Sequence, residues 1–133
     1  MSFGERVREK RRELGLSQQK LAELAGVSLR TINNYESGER YPNNLLTVKR
    51  MAQALGTTSD HLLDDESALL VDANARGGAR AVTELQPLLA QVGALFAGGE
   101  LSETDKDKVM RAISDMYWQA KENNKKYAAK KPQ

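Results

Sequence analysis

The sequence predicts an all-α chain, a five-helix domain followed by a C-terminal helical hairpin. Three observations carry that prediction. Apolar residues recur at the three- and four-residue spacing of a helix face. No segment alternates apolar and polar residues as a half-buried strand does. Glycines 15, 26, 38 and 56 stand where successive helical patterns of the first half run out.

The elements follow in order. In "FGERVREKRRELG", Phe3, Val7, Leu14 and the stem of Arg11 share a face, and Gly15 can end the helix in a left-handed conformation. Ser17 is an N-cap for "QQKLAELA", with Leu21 and Leu24 on the buried side. Ser28 caps "LRTINNYES", whose apolar residues Ile32 and Tyr35 turn inward and which Gly38 ends. After the turn "ERYPNN", the segment "LLTVKRMAQAL" sets Leu45, Val48, Met51, Ala52 and Leu55 at period 3.6 until Gly56. Thr58 caps a short fifth helix with Leu62 and Leu63. Residues 1–65 thus read as one domain, and a chain ending near Ser67 is expected to keep that fold.

The second half has another texture. Residues 66–78, small, acidic at the start and closed by two glycines, read as a hinge. The hairpin is assigned to 79–129 and a frayed tail to 130–133. In its first helix Val82, Leu85, Leu89, Val92 and Phe96 form a narrow seam of the coiled-coil kind, and Pro87 predicts a helix start or a kink nearby. "AGGE" breaks the pattern, and Ser102 opens a helix with acids in its first turn and lysines in its last. Val109, Ile113, Met116 and Ala120, extended to Tyr127, form its stripe. Two helices bury little area alone, so Val82, Leu85, Leu89, Val92, Phe96, Val109, Ile113 and Met116 are expected to meet the same hairpin of a second chain.

Composition narrows the function. The chain has 133 residues, 40% hydrophobic and 29% charged, as soluble globular proteins do. With no cysteine, disulfides, thiolate metal sites and cysteine nucleophiles are excluded. No apolar run reaches the roughly 20 residues that span a bilayer, and the N-terminus reads as lacking a signal region, so a cytoplasmic, nucleoid-associated location is expected. A net charge of +2 is too small to imply a nucleic-acid partner by itself. His61, the single histidine, has no second ligand to share a metal, and Asp105 and Asp107 fit a helix start better than a calcium loop. Tyr117 and Trp118 are assigned to a helix–helix contact. No nucleophile–base constellation, metal site or cofactor motif appears, and no enzyme is read here.

Function is carried by residues 18–37. Two short helices joined by a tight turn need a small residue where they cross, a residue tolerant of positive φ in the turn and an aliphatic anchor beyond it. Ala22, Gly26 and Ile32 supply these at the spacing of a helix-turn-helix. With Ile32 and Tyr35 inward, the opposite face presents Leu29, Arg30, Asn33 and Asn34. Arginine can pair bidentately with guanine, asparagine with adenine, and an aliphatic group can meet a thymine methyl.

From Val7 to Leu63 the chain resembles the Cro and lambda-repressor type helix-turn-helix regulators of bacteria and phages. The resemblance rests on "LSQQKLAELAGVSLRTINNYESGERYP", then "MAQALG" and "HLL". It implies a five-helix DNA-binding domain in which Gln18 grips a phosphate and Leu29, Arg30 and Asn34 read bases with Asn33 beside them. Arg40, Asn43 and Asn44 fall where such proteins touch the DNA backbone, although Glu39 stands where they often have a basic residue and the turn before Leu45 is a residue longer. The segment 93–127 also resembles tails of mobile-element regulators that work beside a repressor-cleaving metallopeptidase. The expected function is therefore a dimeric repressor of a near-palindromic operator. The alternative is an antitoxin or adaptor whose C-terminal helices bind a toxin or peptidase and whose DNA binding is autoregulatory.

Overall fold

The computed structural model describes residues 2–97, 99 and 102–129, with 125–129 as backbone alone. Among them are α1 (Phe3–Glu13), α2 (Gln18–Ala25), α3 (Leu29–Ser37), α4 (Leu45–Ala54), α5 (Ser59–Leu62), α6 (Asp65–Phe96) and α7 (Glu103–Ala129), and no strand. Each of the first five begins at a side-chain cap. Ser2, Ser17, Ser28, Asn44 and Thr58 each accept a hydrogen bond from the backbone N–H three residues on, satisfying a donor that the helix start leaves unpaired. Gly26 and Gly38 end α2 and α3 with φ of 72° and 83°. A side chain in that left-handed region is strained, so both helices stop there.

Two compact units are present, Met1–Val82 and Thr83–Gln133. The core of the first gathers Phe3 and Val7 from α1, Leu21, Ala22 and Ala25 from α2, Ile32 and Tyr35 from α3, Val48, Met51 and Ala52 from α4, then Leu55, Leu62 and Val71. Burying each larger aliphatic group contributes roughly 1.5–3 kcal/mol. Three expected core residues lie outside. Leu14 is the C-cap of α1, where the chain already turns away. On α2 the inward stripe is Leu21, Ala22 and Ala25, which leaves Leu24 51% exposed. Leu45 opens α4 one turn before its inward stripe begins at Val48, and is exposed.

The expected hinge at 66–78 is helical instead. Asp64 caps its start, its Oδ1 accepting from Ser67 N–H at 2.7 Å. Leu70, Val71 and Ala73 are buried, and Val71 belongs to the core of the first unit. That stretch is therefore a sixth helix of the first unit, which reaches Val82 rather than residue 65. The break is a single residue, Gly78, at φ 70° and ψ −164°, a region open essentially to glycine. Pro87, where a start or kink was expected, sits inside α6, whose one non-helical residue is Gly78.

In the second unit the end of α6 and α7 run antiparallel. Glu84 accepts from Tyr117 Oη at 3.1 Å and from Lys121 Nζ at 2.9 Å, while Met110 Cε lies 4.0 Å from where a Cβ on Gly93 would stand. Tyr117 and Trp118 meet edge to face at 5.0 Å between centroids. The inward residues of α7 are Met110 and Ser114, one position on from the expected stripe of Val109, Ile113, Met116 and Ala120. Tyr127 lies outside the described side chains, and the tail 130–133 outside the described residues. No helix among the described residues is long and apolar enough to cross a membrane.

Candidate nucleic-acid interface

The short helix α3 is divided lengthwise. Ile32, Tyr35 and Glu36 are buried, while Leu29, Arg30 and Asn33 are exposed and Asn34 is half-buried. At about 100° per residue the last four span an arc of about 140°, opposite the buried three. Leu29 keeps 45% of its surface exposed, so an aliphatic group, a guanidinium and two amides occupy one accessible face. Ser37, which the sequence reading omitted, falls within the same arc and donates to the Asn34 carbonyl at 3.1 Å. Helical period alone places it there.

The rigidity of that face comes from beneath. The Glu36 side chain has no exposed surface and collects donors from two other helices. Arg11 Nε donates to Oε2 at 2.8 Å and Nη2 to Oε1 at 3.0 Å. Gln18 Nε2 donates to Oε1 at 3.2 Å, and Arg8 Nε lies 3.5 Å from the same oxygen. Burial pushes the carboxyl pKa up. The hydrogen bonds from Arg11 and Gln18, with the Arg11 charge and the bond from Arg8, more than offset this and hold it below the ordinary glutamate value. The Arg11 pKa is raised, first by its bond to Glu36. Glu36 went unnoticed in the sequence, yet an acid one turn beyond Ile32, on the inward face, opposite an arginine on the inward face of α1, was the available signal.

Gln18 is the first residue of α2, and its amide is held by Glu36 rather than swinging free. The side chains expected at the DNA backbone otherwise lie between α3 and α4. Arg40, Asn43 and Asn44 are exposed. Arg40 N–H donates to the Asn34 carbonyl at 3.2 Å, and Asn44 caps α4 while its Nδ2 donates to Asn43 Oδ1 at 3.0 Å. The framework residues Ala22 and Ile32 are 1% and 0% exposed, with Gly26 in the turn. His61 is exposed, and its carbonyl accepts from Arg6 at 3.0 Å.

The expected dimer seam is not brought together as an open surface. Leu85, Leu89 and Val92 are already buried within the single chain. Val82, Phe96, Val109 and Ile113 are half-buried, and only Met116 is exposed. Of the 3-4-3-4 spacing on α6, the three middle residues are covered within the single chain.

Residues 7–62 match the helix-turn-helix family model. An uncharacterized HTH-type transcriptional regulator of Methanothermobacter thermautotrophicus is 47% identical over 44% of this chain and 80% of its own length. The chain belongs to this family. As a helix-turn-helix protein it is a DNA-binding transcriptional regulator, and double-stranded DNA is its partner. Similarity extends beyond the motif. The immunity repressor protein of Bacillus phage phi105 is 27% identical over 98% of this chain and 95% of its own. The SPbeta prophage-derived uncharacterized HTH-type transcriptional regulator YonR of Bacillus subtilis is 29% identical over 81% and 89% respectively.

Proposed function

We propose that this regulator is a repressor that binds a two-fold symmetric operator as a dimer, with α3 in the major groove. The observation that carries this reading is the division of α3 into a buried apolar side anchored by Glu36 and an exposed amide- and guanidinium-bearing side. In a helix-turn-helix the second helix enters the groove. Arg30 then pairs with guanine, Asn33 and Asn34 with adenine, and Leu29 meets a thymine methyl. Gln18, Arg40, Asn43 and Asn44 meet phosphates and set the register.

Repression is supported by the phage relative named an immunity repressor, which aligns along nearly the whole of both chains. Dimerisation is supported by the size of the reading surface. One copy offers few base contacts and discriminates poorly among genomic sites. Among the described residues of the second unit, Leu88, Leu95 and Met116 are exposed large apolar groups, with Phe96, Val109 and Ile113 half-covered. The dimer contact is assigned to them in place of the buried Leu85 and Leu89.

Selection of bound fragments from random duplexes tests the reading. The expected product is a near-palindrome with half-sites about one helical turn apart. Arg30→Ala and Asn34→Ala should each relax preference at one or two base pairs per half-site, at about 1–3 kcal/mol per lost bidentate pair. An asymmetric site, or an Arg30→Ala protein with unaltered affinity and preference, overturns the orientation of α3. A reporter whose promoter overlaps the selected site should fall silent when the protein is expressed; a rise would make it an activator.

A further inference from the structure

The loop 38–44 carries Arg40, Asn43 and Asn44, the residues assigned above to the DNA backbone. It is neither helix nor strand, so its course is set by what fastens it. The Arg40 N–H is held by the Asn34 carbonyl at 3.2 Å. The Tyr41 ring stacks on Phe3 of α1, with centroids 6.3 Å apart and an interplanar angle of 30°, and Pro42 is buried. The fastening from furthest along the chain comes from 33 residues on. Asn74 Nδ2 on α6 donates to the Tyr41 carbonyl at 2.7 Å.

Asn74 is well placed for accuracy. Its neighbours Leu70, Val71 and Ala73 are buried and Val71 belongs to the core of the first unit, so the amide is borne by a helix anchored in that core through Val71. A short side chain locked on an anchored helix can hold its partner group to within about 0.5 Å. Arg40 departs from the chain immediately before that carbonyl, and Asn43 two residues after it. We infer that Asn74 is a positioning residue for DNA binding: by holding the Tyr41 carbonyl it sets where Arg40 and Asn43 meet the phosphates. This rests on the reading of the loop as a phosphate-contacting segment.

The test uses the full chain, the selected operator duplex and an unrelated duplex of equal length. Asn74→Asp keeps the shape, removes the donor and sets a carboxylate against the carbonyl; Asn74→Ala removes the group. Both should weaken the two duplexes by one common factor, about five- to tenfold. Both should lower the slope of log affinity against log salt by about one and leave the selected base pattern intact. Arg40→Ala should cost less in the Asn74→Asp background than in the native chain, because a misplaced arginine has less to lose. Additive losses, or unchanged affinity, would overturn the inference and leave Asn74 a purely structural residue. Affinities are compared where circular dichroism shows each protein folded; should Asn74→Asp fail to fold, Asn74→Ala, which only trims a half-buried side chain, carries the same comparison. If Arg40→Ala leaves the native salt slope unchanged, the phosphate reading of the loop falls. If it lowers the slope and the Asn74 variants do not, the positioning role alone falls.

Discussion

A carboxylate without exposed surface is tolerated at Glu36 because Arg11 meets it with two nitrogens and Gln18 with a third. Removing the acid strands the largely covered Arg11, whose side chain is 12% exposed, so Glu36→Ala should destabilise the fold by about 3–5 kcal/mol in urea unfolding. The same pair makes stability depend on acid. Since the folded carboxyl titrates below its unfolded value, its contribution is complete above the ordinary glutamate pKa of about 4.3. It is lost as pH falls through the lower folded value. Urea midpoints measured from pH 6 downward should show that loss in the native chain, and Glu36→Gln should remove this component of the slope. Gly4 matters for a different reason. A Cβ there would collide with the carbonyl oxygens of Tyr35 and Glu36, so α1 sits against α3 backbone to backbone. Gly4→Ala should cost about 1–3 kcal/mol through forced separation, seen as a lowered unfolding midpoint, and an unchanged midpoint would deny the close approach.

At the scale of elements, α6 changes the boundary of the DNA-binding unit. Its first half contributes Leu70, Val71 and Ala73 to buried positions and Asn74 to the loop 38–44. Losing Val71 from this core alone forfeits roughly 1.5–3 kcal/mol, against a total stability of about 5–15 kcal/mol for a domain. A chain ending at Ser67, expected from the sequence to retain its fold, should therefore be largely unfolded or melt far below the native protein. One ending at Val82 should melt cooperatively and keep its amide protection. Equal melting of the two would show that α6 adds nothing to this core. Small residues and acids lowered the apparent hydrophobicity of 66–78, whereas Leu70, Val71 and Ala73 already stood at helical spacing.

For the whole molecule, the proposed dimer can be tested through exposure. Leu88 and Met116 are exposed, at 41% and 61%, so Leu88→Asp with Met116→Asp should leave the fold intact and abolish the dimer. Sedimentation should then report a single chain, and affinity for the full operator should collapse toward that of a half-site. Leu89→Asp is a different experiment, since it places an unpaired charge in a covered position and should unfold the second unit. If the double variant remains dimeric with native circular dichroism, the contact lies elsewhere. Because the net charge is only +2, affinity depends on local contacts more than on a broad basic field. The salt slope should correspond to fewer than about 6 effective charges per subunit.

Caps, stops and periods are local, and the sequence alone determined them. Ser17, Ser28 and Thr58 at helix starts, the glycines at helix ends and the inward Ile32 and Tyr35 are where their spacing put them. The same regularity exposed Leu29, Arg30 and Asn33 together, because one turn of helix binds neighbours in sequence to one face. Partnership across the chain is not local. That Glu36 answers Arg11, 25 residues away, and that Asn74 holds Tyr41, 33 residues away, depends on how helices cross. The inward stripe of α7 at Met110 and Ser114, one step from the apolar pattern, depends on which side of it α6 covers. An apolar spacing states that a face will be buried, and only the tertiary structure decides which neighbour buries it: the same chain, as for Leu85 and Leu89, or something outside it.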